Sequence, residues 1–152
     1  MIDIRYATEK DVDQIYSLGQ NVSEFSVNDE TVNFWPKPLL ANAISSKDTV
    51  IIIAEEDKRM VGFIIAVYNE GFRKAVIENI YVDLGLRNQG IGKQLLEKLL
   101  EQLAEKKCEY ITALVPPDAD GAMRLYESGG FSQGEQFLWL DKTLGRSFKR
   151  ST

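Results

Sequence analysis

The segment Arg87-Asn-Gln-Gly-Ile-Gly-Lys93 places an arginine and two glycines at the spacing Arg-x-x-Gly-x-Gly. It lies between an apolar β-branched run and a leucine-striped helical pattern, and at such a junction the chain can bind an anion. The first turn of a helix has N–H groups without partners, and its macrodipole adds about half a positive charge there. Gly90 and Gly92 would let the backbone approach a phosphate without Cβ obstruction. The plain alternative is a strand–helix junction that needs glycine only for its turn. No Gly-x-x-x-x-Gly-Lys-Ser/Thr string passes through Gly85, Gly90 or Gly92, so a nucleotide P-loop is excluded. The dinucleotide fingerprint fails too, because Leu95 stands where its third glycine would be.

What else the chain can do is bounded by what it lacks. It has 152 residues, no histidine and a single cysteine, Cys108. A Ser-His-Asp or Cys-His nucleophile system and a His-ligated metal site are therefore excluded, as are an intrachain disulfide and a four-cysteine metal cluster. No metal is expected. Proton transfer must use carboxylates, tyrosines, lysines, the thiol or water. Cys108 follows Lys106 and Lys107 at the end of the long helical pattern and reads as an inert, partly buried residue.

Eighteen Lys and Arg against 23 Asp and Glu give a net charge of −5 with no basic cluster in the body of the chain, which argues against nucleic acid as a partner. Arg146, Lys149 and Arg150 make only a short basic tail over 145–152, after a single domain expected over 1–144. Met1–Asp11 has neither a basic nor an apolar signal region, and no apolar run approaches the ~18 residues of a membrane span. A cytoplasmic location, no membrane partner and a possible homodimer are the expectations.

The elements that must position the glycine loop follow from periodicity. Ile2, Ile4 and Tyr6 alternate with polar residues as a half-buried strand. Thr8 and Asp11 resemble an N-cap pair that opens a helix ending near Gly19. A helical stretch from about Asn28 to Ser46 is bent or split at Pro36 and Pro38. Thr49–Ala54 and Met60–Tyr68 read as a hairpin around the polar turn Glu55–Arg59. Ala75–Val82 reads as a strand with Ile77 and Tyr81 on one face and Val76, Glu78, Ile80 and Val82 on the other. After the loop, Ile91, Leu95, Leu96, Leu99, Leu100 and Leu103 form the apolar stripe of a long helix. A strand Tyr110–Val115, a Pro116–Pro117 break, a helix from about Asp120 to Glu127 and a final strand Gln136–Leu140 complete the pattern. This order implies an α/β or α+β fold with a mixed sheet.

With these elements in place, the chain resembles the GNAT superfamily of N-acetyltransferases. Ile80-Tyr-Val82 followed by Arg87–Gly92 is similar to its strand-plus-loop signature. Ala122-Met-Arg-Leu-Tyr-Glu-Ser-Gly-Gly-Phe131 is similar to its "A-x-x-L-Y-E-x-x-G-F" block. The opening Ile4–Val12 and the close Leu138–Leu144 also look like the ends of that family, so the resemblance covers essentially the whole chain. It implies a mixed, mostly antiparallel sheet flanked by helices and splayed between its fourth and fifth strands, with acetyl-CoA in the cleft. The implied cofactor contacts are the backbone of Asn88, Gln89, Gly90, Ile91, Gly92 and Lys93 to the pyrophosphate, with Arg87 in the same loop. The backbone of Ile80, Tyr81 and Val82 would pair with pantetheine and polarise the thioester carbonyl. The sequence departs from the pattern at Leu84 and Asn88, and at Ala119, where the family commonly has an asparagine.

The resemblance implies an N-acetyltransferase acting on a primary amine, small-molecule or peptide, by direct ternary-complex transfer. The alternative is a CoA-binding regulatory module that has lost catalysis. An alkylamine of pKa ~10 must shed a proton before it attacks, and Glu78 is the candidate base. The alternative for Glu78 is an ordinary charged strand residue. Tyr126 matches the family's general-acid tyrosine near the sulfur. Transfer from a phenol of pKa ~10 to a thiolate of ~8.5 is uphill by roughly 2 kcal/mol, so hydrogen bonding would be a large part of its role. Phe25, Asn33, Phe34 and Trp35 fall in the region that lines the acceptor side in relatives; they either form the acceptor pocket or plug the core.

Overall fold

The computed structural model describes residues 1–20, 34–140, 142 and 144. The described elements are β1 (Asp3–Tyr6), α1 (Val12–Gln20), α2 (Lys37–Ser45), β2 (Thr49–Glu56), β3 (Arg59–Asn69), β4 (Lys74–Val82), α3 (Ile91–Glu105), β5 (Tyr110–Ala113) and α4 (Asp120–Ser128). The strands form one sheet in the order β1-β2-β3-β4-β5. Every neighbouring pair is antiparallel except β4–β5, which is parallel. The expected mixed, mostly antiparallel α+β fold is therefore present.

Burial on both faces explains why β2 and β3 read as nearly unbroken apolar runs. Val50, Ile52 and Ala54 of β2 face a core built on α3, whereas Ile51 and Ile53 face a second core under α1 and α2. In α3 the stripe Ile91, Leu95, Leu96, Leu99 and Leu103 is buried, each side chain contributing roughly 1.5–3 kcal/mol. The β2–β3 hairpin turns through Asp57 and Lys58, both at positive φ (49° and 65°), the backbone that suits a two-residue turn between twisted strands.

Two expectations change and one is met. The expected helical stretch is interrupted at the prolines, since α2 begins only at Lys37, and its part before Phe34 lies outside the described residues. Pro36 is the N-cap of α2 and Pro38 stands in its first turn, where a missing N–H leaves no bond unmade. The strand faces in β4 differ from simple alternation, because Ile77 shares a core with Ile80 and Val82 while Tyr81 faces the other. The expected last strand is absent as well. Residues 131–140 carry no regular secondary structure, although Phe137–Leu140 has strand-like composition, because composition cannot make a ladder without a partner edge. Phe25, Asn33 and the basic residues Arg146, Lys149 and Arg150 lie outside the described residues.

The entry to α1 is anchored by a buried carboxylate. Asp11, 3% exposed, accepts two hydrogen bonds from Arg5 at 2.9 Å and one from the Thr8 backbone N–H at 2.7 Å. Arg5 also pairs with Glu55 at 3.1 Å, so β1, β2 and α1 meet at one guanidinium. Burial alone would raise the Asp11 pKa, but the bonds from Arg5 and Thr8 outweigh it and leave it lowered. A carboxyl held below its unfolded value of ~3.9 stabilises the fold above that pH, and the contribution is lost as pH falls through the folded pKa. Arg5→Met should therefore cost ~3 kcal/mol at pH 7, by leaving a buried charge unpaired. The deficit should shrink below about pH 4 as Asp11 takes up a proton. Urea unfolding at pH 7 and in acid measures both, and a deficit that does not change with pH would contradict the account.

Candidate active site

One extra residue shapes the cleft. Along β3–β4, Ile65 lies opposite Asn79 and the next residue, Ala66, lies opposite Ile77, so Glu78 is the unmatched residue of a β-bulge. A bulge resets the two-residue alternation and bends its strand. Across this residue the alternation slips, so Ile77, Ile80 and Val82 share one core while Tyr81 packs in the other. On the strand beside Glu78, Asn79 accepts a hydrogen bond from the Trp35 indole N–H at 2.9 Å.

The bulge also marks where β4 and β5 part. Parallel pairing runs from Lys74↔Tyr110 to Ile77↔Ala113 and stops there, while β4 continues to Val82. Residues 79–82 therefore keep their β3 partners and have an open second edge. β5 cannot extend its ladder in step, since Pro116 and Pro117 have no N–H to donate.

At the top of this opening the loop enters α3. Asn88 and Gly90 adopt left-handed backbone (φ 62° and 83°), and Gly90 is the N-cap with no side-chain capping bond. The first bond of the helix is Gln94 N–H to the Gly90 carbonyl at 3.0 Å. Among the described residues, the first-turn N–H groups of α3, those of Ile91, Gly92 and Lys93, meet no acceptor. Arg87 donates from Nε to the Val82 carbonyl at 3.1 Å and ties the loop to the end of β4.

The two loop glycines do different work. Gly90 has open space around its Cα, so its requirement is the positive φ. A Cβ at Gly92 would meet Leu125 of α4 at 3.3 Å, which makes Gly92 a packing contact between α3 and α4.

Packing through Gly92 brings α4, and with it Tyr126, onto the start of α3. Tyr126 is 7% exposed, packs in the α3 core and meets the Phe131 ring at 5.3 Å. Its hydroxyl has no hydrogen-bond partner among the described residues, and burial pushes its pKa up to about 12. A buried, unpartnered hydroxyl costs free energy unless a ligand completes it. Ala119 is the N-cap of α4 and supplies no capping bond.

On the other face of β4, aromatic rings stack inward: Phe34 against Phe63 at 5.7 Å, and Phe63 against Tyr81 at 5.6 Å. Phe34 is 4% exposed and fills the space over Gly19, so the structure places it in the core. Trp35 is half-buried beside Asn79. Glu78 remains exposed, yet desolvation raises its carboxyl pKa, and no hydrogen bond or ion pair engages it among the described residues. Tyr81 donates to Asp83 at 2.9 Å, and Asp83 pairs with Arg59 at 2.9 Å, which fixes the end of β4. Asn79 and Asp83 were not foreseen. A bulge leaves no compositional trace, and only the fold brings Trp35 and Arg59 to these side chains.

Residues 14–131 match the model of the acetyltransferase (GNAT) family. The chain belongs to the GNAT family. It is 31% identical over 111 residues to a probable acetyltransferase, TAP2, of Glycine max, a match that covers 64% of this chain and 44% of the relative, so it spans under half of that protein. The fold is similar to that of the aminoglycoside N-acetyltransferase AAC(6')-Iy in complex with a bisubstrate analogue, CoA-S-monomethyl-acetylneamine. That similarity has a TM-score of 0.75 at 18% identity, over 94% of this chain and 99% of the other. It is also similar to the ribosomal-protein-S18-alanine N-acetyltransferase of Escherichia coli (TM-score 0.71, 24% identity, 89% and 80% coverage).

The glycine roles can be tested directly. Gly90→Ala forces a Cβ into left-handed backbone and should destabilise the protein by about 1–2 kcal/mol. Gly92→Val should separate α3 from α4 and should also weaken the Tyr126–Phe131 contact. Thermal unfolding of both variants, with near-ultraviolet circular dichroism to follow the rings, checks this. Equal aromatic signals in the two would contradict a packing role for Gly92.

Proposed function

We propose that this chain is an acetyl-CoA-dependent N-acetyltransferase that acetylates a primary amine by direct transfer within a ternary complex. The observation that carries the proposal is the buried Tyr126 hydroxyl, without a partner among the described residues, beside a helix start whose N–H groups are also free. Acetyl-CoA supplies an acetyl group activated as a thioester. The N–H groups of residues 88–93 hold its pyrophosphate, and the open edge of Ile80, Tyr81 and Val82 holds the pantetheine arm. That edge also directs a backbone donor at the carbonyl, where negative charge develops. No nucleic acid, membrane or metal partner enters the reading, and a cytoplasmic location is consistent with it.

The acceptor approaches from the α1–α2 face, where Trp35 lies, toward Glu78 at the bulge of β4. Desolvation makes the Glu78 carboxylate more basic than a solvated one, which favours withdrawal of a proton from the ammonium, directly or through one water. Trp35 presents a ring to the amine's carbon frame, with Phe34 supporting it from the core and Phe25 assigned to the same region. Desolvation has the opposite consequence for Tyr126. With a pKa of about 12, delivering its proton to a thiolate of pKa ~8.5 is uphill by roughly 5 kcal/mol. Tyr126 therefore acts as a hydrogen-bond donor to the departing sulfur, and the thiolate takes its proton from elsewhere.

Calorimetry with acetyl-CoA, followed by an amine panel scored by release of free thiol, tests the reading, and absence of acetyl-CoA binding would refute it. Tyr126→Phe should lower kcat about 10–100-fold, the loss of one hydrogen bond to a charged group. Glu78→Gln should lower kcat/KM and remove the acidic limb of the pH profile, on which the rate falls as Glu78 is protonated. An unchanged pH profile would exclude Glu78 as the base.

A further inference from the structure

The C-terminal end of α3 borders a cavity that the cleft does not reach. Pairing of β1 with β2 ends at Tyr6↔Ile52, followed by one bond from the Ala7 N–H to the Ile51 carbonyl at 3.0 Å. Thr49 and Val50 at the start of β2 therefore have no β1 partner. Between them, the last turns of α3 and the end of α2 lies a cavity of about 180 Å³. α3 is 15 residues long, which puts the cavity on the order of 20 Å from the glycine loop.

Its lining divides by chemistry. Ile44, Val50 and Ile51 form an apolar floor, while Thr49, Gln102 and Lys106 bring hydrogen-bond donors. The Tyr6 hydroxyl donates to Gln102 Oε1 at 2.6 Å, which commits the amide oxygen. Both N–H groups of Gln102 Nε2 and the Thr49 hydroxyl are then without partners among the described residues. Lys106 Nζ donates to the Lys47 carbonyl at 2.9 Å, so the ammonium is held in place with no carboxylate beside it among the described residues. Its neighbours differ: Lys47 pairs with Glu70 at 3.6 Å and Lys98 with Glu101 at 4.0 Å. No lining residue is acidic. A fixed cation and spare N–H donors over an apolar floor call for an anionic oxygen acceptor that carries an apolar tail.

The negative end of the α3 dipole does not oppose this. The carbonyls of Gln102, Leu103 and Ala104 accept from the N–H groups of Lys106, Cys108 and Lys107, and that of Lys106 accepts from the Tyr68 hydroxyl at 2.9 Å. With these carbonyls covered, the helix end presents its lysines rather than bare oxygen.

We propose that this cavity binds a short-chain aliphatic carboxylate. The carboxylate accepts from Lys106 and the Gln102 amide, and the alkyl chain lies on Ile44, Val50 and Ile51. The size agrees, since 180 Å³ is the liquid volume of about six waters at ~30 Å³ each, and butyrate has that number of non-hydrogen atoms. A ligand so small binds with a Kd on the order of 1 mM. The site stands apart from the transfer reaction proposed above and does not depend on it.

Backbone-amide NMR of the full chain, titrated with sodium butyrate to about 50 mM against matched sodium chloride, tests this. Saturable shifts centred on Ala7, Thr49, Ile51, Gln102 and Lys106 are expected. Butylamine, which keeps the chain and reverses the charge, should leave those resonances in place, and so should inorganic phosphate, which keeps the charge and lacks the chain. Lys106→Met should weaken butyrate about tenfold or more. Ala7→Phe, which fills the cavity and keeps the backbone bond to Ile51, should abolish binding; both variants are read only with the circular dichroism of the parent. The unmodified protein decides the matter even if neither variant folds. Shifts that do not saturate, equal shifts with butylamine or phosphate, or butyrate shifts confined to residues 79–82 and 91–93 would each overturn the proposal. Parental affinity in folded Lys106→Met would overturn it too.

Discussion

The bulge at Glu78 is the constraint on which the rest of the site depends. β4 must pair with β3 along its whole length and with β5 along only its first half, and one unmatched residue reconciles the two. Below it, Lys74–Ile77 sit between two ladders; above it, Asn79–Val82 have one ladder and one open edge. The same residue resets which side chains face which core, so Ile77 joins Ile80 and Val82 under α3 while Asn79 and Tyr81 turn to the opposite face. The cleft and its two chemically different walls thus have a single geometric origin.

In the proposed reaction, the chemistry around that cleft falls to groups other than histidine. Backbone N–H groups at the start of α3 provide a fixed positive field that needs no titratable side chain. Desolvation then acts on two side chains with opposite usefulness. It makes the Glu78 carboxylate a better proton acceptor and the Tyr126 phenol a poorer proton donor, although in both cases the pKa rises. In the proposed reaction the same physical effect would favour Glu78 as base and limit Tyr126 to hydrogen bonding.

Long-range packing supports these positions. The Arg5–Asp11–Glu55 cluster joins β1, β2 and the entry to α1, and the Arg59–Asp83–Tyr81 chain holds the end of β4. Phe34 and Phe63 extend the Tyr81 stack into the core, so the wall that carries Trp35 and Asn79 is backed by rings rather than by solvent.

The sequence by itself determined what depends on local pattern. The leucine stripe of α3, the β2–β3 hairpin, the Thr8–Asp11 pairing and the Arg87–Gly92 loop are all legible, because periodicity, turn chemistry and helix termini act over a few residues. The spacing of two blocks, Ile80–Gly92 and Ala122–Phe131, was enough to indicate the family. Tertiary structure alone decided the rest. Whether Phe34 plugs the core or lines a pocket depends on what lies over Gly19. The face that Glu78 occupies depends on registration against β3, and the role of Gly92 depends on Leu125, 33 residues further along. Phe137–Leu140 makes the division plain. Its composition is that of a strand, but a strand exists only where another edge accepts its hydrogen bonds, and no window of sequence contains its own partner.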